Sequence, residues 1–205
     1  MNENPELPDA LRLQAGDALV VVDVQRDFLP GGALAVPEGD RVVPALNRYL
    51  EQFEREGLLV VLTRDWHPPD HVSFSVRGGP WPPHCVAGTP GAEFAPGLRL
   101  PASAQLCSKA SQPDAEAYSG FEGTELAASL RSQGIRRLFV GGLATDYCAR
   151  ATVLDALREG FEVLLLVDAI RPVEVQPGDG ARALQAMVQA GARPIRFEQL
   201  TGADT

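Results

Sequence analysis

Cysteine is scarce in these 205 residues, and the three present, at 85, 107 and 148, are odd in number and poorly spaced for a disulfide framework. That points to a reducing compartment. There is no run of lysine or arginine, and 18 basic against 27 acidic residues give a formal net charge of −9. A chain so charged is poorly suited to nucleic acid or to an anionic membrane surface, so neither is expected as a partner. No apolar stretch approaches the length that spans a bilayer, and the polar, acidic first ten residues lack the basic and apolar regions of a signal peptide. The expectation is a cytoplasmic protein acting on a small, uncharged substrate. Repeats at solenoid period and low-complexity segments are also missing.

What is present is ordinary globular composition, 45% apolar and 22% charged, enough for one domain with a sizeable core. Residues 1–16 read as a leader with little structure, whose Leu7, Leu11 and Leu13 could dock on the domain or on a partner subunit; residues 17–200 read as the domain. Continuous apolar runs mark buried strands at 18–22, 58–62, 137–140 and 161–167, with shorter strands expected at 105–108 and 192–197. Helical spacing falls between them, over 41–56 with Asp40 as its cap, over 123–132, over 149–158 and over 180–189. Strands alternating with helices predict an α/β, three-layer Rossmann-like fold, a mainly parallel sheet of about six strands with helices on both faces. Pro194 places the last strand at an edge. The stretch from Thr63 to about Pro101 reads as one long loop holding every histidine, a length that usually signals function.

In open parallel sheets, ligands lie beyond the carboxyl ends of the strands. At those ends stand Asp23, Asp65 with His67, Lys109 and Cys148, all on one rim. Cys148 falls in the first turn of a helix, where unpaired amides and the helix dipole favour the thiolate. A free thiol, with a pKa of about 8.5, is mostly protonated at neutral pH and needs a base; Asp23 can take the proton and Lys109 can stabilise the thiolate. Taken singly, Asp23 could be a loop acceptor, Lys109 a solvated lysine and Cys148 a core residue. Asp65, His67, His71 and His84 form a second cluster, with Asp65 and His67 two apart on an extended segment and so pointing the same way. Two imidazoles and a carboxylate suit a divalent zinc, iron or manganese ion, with His71 an optional further ligand. Phe28, Trp81 and Tyr118 could flank a small planar substrate.

Several segments together resemble the nicotinamidase/pyrazinamidase branch of the isochorismatase-like hydrolases over roughly residues 17–198. They are Asp23-Val24-Gln25-Arg26-Asp27-Phe28, Arg64-Asp65-Trp66-His67, Trp81-Pro82-Pro83-His84, Lys109, and Gly142-Leu143-Ala144-Thr145-Asp146-Tyr147-Cys148. The resemblance implies a metal-dependent amidase in NAD salvage that converts nicotinamide to nicotinate and ammonia, and that could also take pyrazinamide. It implies Cys148 as nucleophile, Asp23 as base, and Lys109 holding both in place. The amides of Ala144 and Cys148 would form an oxyanion site, with a cis peptide at Leu143–Ala144. One divalent ion, zinc before iron or manganese, would sit on Asp65, His67 and His84 and bind the pyridine nitrogen between Phe28 and Trp81. Family tendency and the apolar leader suggest a homo-oligomer. The alternatives are a hydrolase of another small amide, of N-carbamoyl type, and a non-catalytic metal-binding protein on the same fold.

Overall fold

The structure is a computed structural model that describes residues 11–200. Six strands form one sheet in the order β3-β2-β1-β4-β5-β6, every neighbouring pair parallel. They are β1 (Asp17–Val22), β2 (Leu59–Asp65), β3 (Gln105–Lys109), β4 (Arg137–Leu143), β5 (Glu162–Arg171) and β6 (Arg193–Ile195). Four helices accompany them: α1 (Val42–Arg55), α2 (Leu126–Ser132), α3 (Cys148–Arg158) and α4 (Asp179–Gln189).

Alternation along the strands builds two separate cores. Leu19 and Val21 of β1 join Leu46, Leu50 and Phe53 of α1 on one face. Ala18, Val20 and Val22 join Leu130 of α2, Val153 of α3 and Met187 of α4 on the other. The layers are therefore one helix, the sheet, and three helices. Because β1 and β4 are buried on both faces, their sequence is apolar at nearly every position rather than alternating.

Several elements depart from the sequence expectation. Asp40 caps nothing: it lies within a 3-10 turn, Gly39–Arg41, that leads directly into α1, which carries no side-chain cap. Its carboxylate thus sits inside the helical run, where it cannot fold back on the first amides. Helix α2 starts at Leu126 rather than Gly123, because Gly123 has φ +66° and Thr124 Oγ1 accepts the Leu126 amide at 3.2 Å. Strand β5 runs on to Arg171 instead of stopping before Asp168, whose Oδ1 accepts the Tyr49 hydroxyl of α1 at 2.8 Å. Strand β2 also outlasts its apolar run, since Thr63, Arg64 and Asp65 continue to pair with Cys107, Ser108 and Lys109. The histidine-bearing loop that follows is ordered by two 3-10 turns and by isolated bridges between His67 and Val86 and between Phe74 and Trp81. β6 is an edge strand and contains Pro194, as expected. Of the leader, Leu7 lies outside the described residues, Leu11 bridges Leu200, and Leu13 packs on the core of its own chain. Among the described residues no helix is long and apolar enough to cross a membrane.

One glycine sets the geometry ahead of the α3 turn. Gly142 in β4 has φ +123°, and a Cβ there would run into the backbone of Val22 in β1. Both the conformation and the space demand glycine. Gly142→Ala should cost at least about 2 kcal/mol in urea unfolding, by strain at a special backbone position. A variant as stable as the parent would show that this contact does not fix the spacing of β1 and β4.

Candidate functional site

The order of the strands reverses at β1, between β2 on one side and β4 on the other, and this is where the polar side chains gather. Asp23 follows β1, Asp65 ends β2, Lys109 ends β3, and Cys148 opens α3 one short loop after β4. Sheet register makes the first link, because Asp65 and Lys109 are paired positions of adjacent strands.

Lys109 is the chain's only lysine, and it is buried. Its Nζ donates to Asp65 Oδ1 at 2.5 Å, to the Ala117 carbonyl at 3.1 Å and to Cys148 Sγ at 3.4 Å. Asp23 Oδ2 lies 2.9 Å from the same nitrogen, close enough for an ion pair. An ammonium has three hydrogens, and the three aligned bonds use them. Asp23 Oδ2 is accordingly left without a hydrogen bond, while Asp23 Oδ1 accepts the Thr63 hydroxyl at 2.6 Å. Asp23, Asp65 and Cys148 place a carboxylate oxygen or the sulfur within 4.8 Å of one another.

Burial dominates the proton affinities here. It raises Asp23 above the usual carboxylate range despite the opposing pull of Lys109, and Asp65 adds to the rise. It pushes the Cys148 thiol well up, with Lys109 again opposing and Asp23 and Asp65 reinforcing. For Lys109 itself burial acts downward, but Asp23, Asp65 and Cys148 outweigh it and hold the ammonium well above its ordinary value. The helix terminus therefore does not by itself make Cys148 a thiolate. The resting thiol keeps its proton beside a carboxylate made more basic by the same burial.

The imidazoles lie on the far side of Asp65. Asp65, His67 and His84 offer one ligand atom each within 4.8 Å of one another, all buried. His67 Nδ1 lies 3.0 Å from the His84 carbonyl and His84 Nδ1 lies 2.8 Å from the Pro82 carbonyl. A carbonyl only accepts, so both Nδ1 atoms carry hydrogen and each ring turns its Nε2 atom to the remaining partners. Burial, with His84 adding to it, lowers the His67 pKa to about 3, so that ring is neutral. Two oriented imidazoles with a carboxylate are the donor set of a divalent metal. His71 stacks 4.4 Å from His67 but is engaged at both nitrogens, by Ser73 Oγ at 2.8 Å and by the Ala115 carbonyl at 3.0 Å.

Between the two halves lies a small cleft lined by Phe28, Asp65, Trp81, His84, Tyr118, Ala144 and Cys148, all expected from the sequence, and by Leu34, Tyr147 and Val173, which were not. Trp81 donates its indole N–H to the Tyr118 hydroxyl at 2.9 Å, and Tyr147 packs edge-on to Trp81 at 5.0 Å. The three rings make one wall. Tyr147 had a visible signal, its place next to Cys148. Val173 had none, because β5 was expected to end before it. The Leu143–Ala144 peptide is cis, and among the described residues the amides of Ala144 and Cys148 meet no acceptor.

The isochorismatase domain model matches residues 17–199. The chain belongs to the isochorismatase family, on its nicotinamidase/pyrazinamidase branch. Among isochorismatase-family relatives, the Escherichia coli nicotinamidase is 41% identical, over 85% of this chain and 92% of its own. The Pyrococcus horikoshii pyrazinamidase, solved in complex with zinc, is 55% identical with a TM-score of 0.85, covering 89% of this chain and 99% of that one. L. infantum PnC1, solved in complex with nicotinate, is 35% identical with a TM-score of 0.87, covering 94% and 98%.

Removing Lys109 would strand two carboxylates in a dry interior. Lys109→Met should destabilise the fold by about 3–5 kcal/mol, the usual cost of breaking a buried ion pair from one side. Denaturant unfolding measures it, and a loss under 1 kcal/mol would mean that water reaches this cluster.

Proposed function

We propose that the protein hydrolyses the carboxamide of nicotinamide to nicotinate and ammonia through a thioester on Cys148, and that it accepts pyrazinamide as well. The observation that carries this reading is the contact of one buried ammonium with Asp23 and Cys148, beside a metal-type donor set and a cleft walled by aromatic rings. The activities of the family relatives support the choice of substrate. A hydrolase of N-carbamoyl compounds would leave the oriented His67 and His84 without a purpose.

In this scheme Asp23 Oδ2, the carboxylate oxygen without a hydrogen bond, takes the Cys148 proton as Sγ attacks the carboxamide carbon. The amides of Ala144 and Cys148 donate to the oxygen as it becomes negative. Collapse of this intermediate breaks the carbon–nitrogen bond, and ammonia leaves with the proton that Asp23 held. Water, giving a proton back to Asp23, then attacks the thioester, which releases nicotinate and restores the thiol. Lys109 keeps base and sulfur together and offsets the negative charge passed between them. Phe28, Trp81, Tyr118 and Tyr147 hold the ring flat. Asp65, His67 and His84 would hold one divalent ion, proposed to be zinc, which when bound supplies a Lewis-acid site for a ring nitrogen. His71 acts as a support that fixes His67 rather than as a ligand. A reducing, cytoplasmic setting and a homo-oligomeric assembly belong to the same proposal.

Ammonia release from nicotinamide by the purified protein is the direct test. Cys148→Ala should reduce it to background, and Asp23→Asn should lower kcat by about 10²–10⁴, the usual contribution of a positioned base. A wild type that holds metal yet releases no ammonia would overturn the substrate assignment. Dialysis against a chelator should abolish turnover and added zinc restore it. Elemental analysis separates the histidine roles: His84→Ala should lose the metal, whereas His71→Gln should retain one ion per chain.

A further inference from the structure

Gln25 is fully buried in the loop after β1, two residues beyond the proposed base, and no step above uses it. Its carboxamide faces the main chain of Asp65. Nε2 donates to the Asp65 carbonyl at 2.8 Å, and Oε1 accepts the Asp65 amide at 2.8 Å. A neighbouring strand would offer that same pair of bonds. β1 pairs with β2 only as far as Leu62, and beyond that point the β1 side of β2 would carry unpaired groups in a buried place. The Asp23 amide meets the Thr63 carbonyl at 3.2 Å, and the Gln25 side chain takes the next position along. From the opposite side the Trp66 amide meets the Lys109 carbonyl at 3.1 Å, so Asp65 is gripped between β3 and a side chain that stands in for a strand.

The second Nε2 hydrogen donates to the Ala92 carbonyl at 3.0 Å. That segment is tied back to the same loop, with Arg26 N to Glu93 O at 2.9 Å and Ala95 N to Val24 O at 2.8 Å. One side chain thus joins the loop bearing Asp23 and Phe28, the end of β2 bearing Asp65, and the segment that follows His84. Asp65 has to satisfy two demands at once, since its Oδ1 lies 2.5 Å from Lys109 Nζ and 3.9 Å from His67 Nε2.

We infer that Gln25 is the positioning residue for Asp65, fixing its peptide so that one carboxylate reaches both the ligand cluster and Lys109. The zinc arm of this inference rests on the metal site proposed above; the Lys109 arm does not. Metal-stripped wild type, Gln25→Leu and Gln25→Glu would be compared for zinc affinity by competition with a chromophoric chelator. In the metal-free proteins, the rate of Cys148 alkylation by iodoacetamide would be read by mass spectrometry. Tyr49→Phe, which loses a hydrogen bond at Asp168 away from the site, controls for general loss of stability.

Both Gln25 variants should bind zinc about 10–100-fold more weakly, the usual penalty for losing a group that orients a metal ligand. Their Cys148 should alkylate at a rate several-fold different from wild type, because Lys109, which donates to both Asp65 and Sγ, loses its fixed partner. Tyr49→Phe should melt at lower temperature with both readouts unchanged. A folded Gln25 variant with wild-type zinc affinity and wild-type alkylation overturns the inference. If Gln25→Leu does not fold, Gln25→Glu decides, because it keeps the shape and the acceptor while losing both donated bonds. Should wild type itself bind no zinc, the metal reading fails separately, and the alkylation rates alone judge Gln25.

Discussion

A single ammonium, removed from water and surrounded by two carboxylates and a thiol, is the constraint on which this structure depends. Burying an ion costs several kcal/mol unless partners replace its hydration. Lys109 has all of its hydrogens taken and a fourth partner, Asp23, in ion-pair range. Every other base in the chain, His aside, is arginine, so lysine at this one position reflects geometry. A tetrahedral ammonium aims three hydrogens in three directions from a point, whereas a planar guanidinium presents a fork.

The site has two halves that share Asp65. One gathers Asp23 and Cys148 around Lys109, where both hold their protons more tightly than they would in water, because burial acts on each in the same direction. The other half is a pair of imidazoles whose Nδ1 atoms are tied to backbone carbonyls and whose ligand atoms lie within 4.8 Å of Asp65 and of each other. A carboxylate that belongs to both halves fixes their separation, and with it the size of a molecule that could touch both.

Phe74 shows how the surroundings serve this arrangement. It is fully buried and packs edge-on to His67 at 5.3 Å and to His71 at 5.7 Å, with His84 also at 5.6 Å. The rings that would hold metal are thus braced by an apolar wedge as well as by hydrogen bonds. Asp27 does similar work one loop away: its Oδ2 accepts the Cys85 amide at 2.7 Å, and Gly91 approaches it so closely that a Cβ there would collide with the carboxylate.

Much was legible in the chain by itself. The apolar runs with intervening helical periods specified parallel strands and two covered faces, and strand ends marked the rim on which Asp23, Asp65, Lys109 and Cys148 stand, because periodicity and strand direction are local properties. The end of β5 escaped it because Asp168 bonds to Tyr49 of a distant helix, while the start of α2 and the idle Asp40 turned on local backbone geometry, a left-handed Gly123 and a 3-10 turn, that composition does not reveal. Leu34, Val173 and Gln25 escaped it as the end of β5 did. Gln25 lies 40 residues from Asp65 in sequence and only a hydrogen bond away in space. Which polar groups meet, and which lone pairs and hydrogens they have left over, is set by the packing of distant segments, and that was decided only when the chain closed on itself.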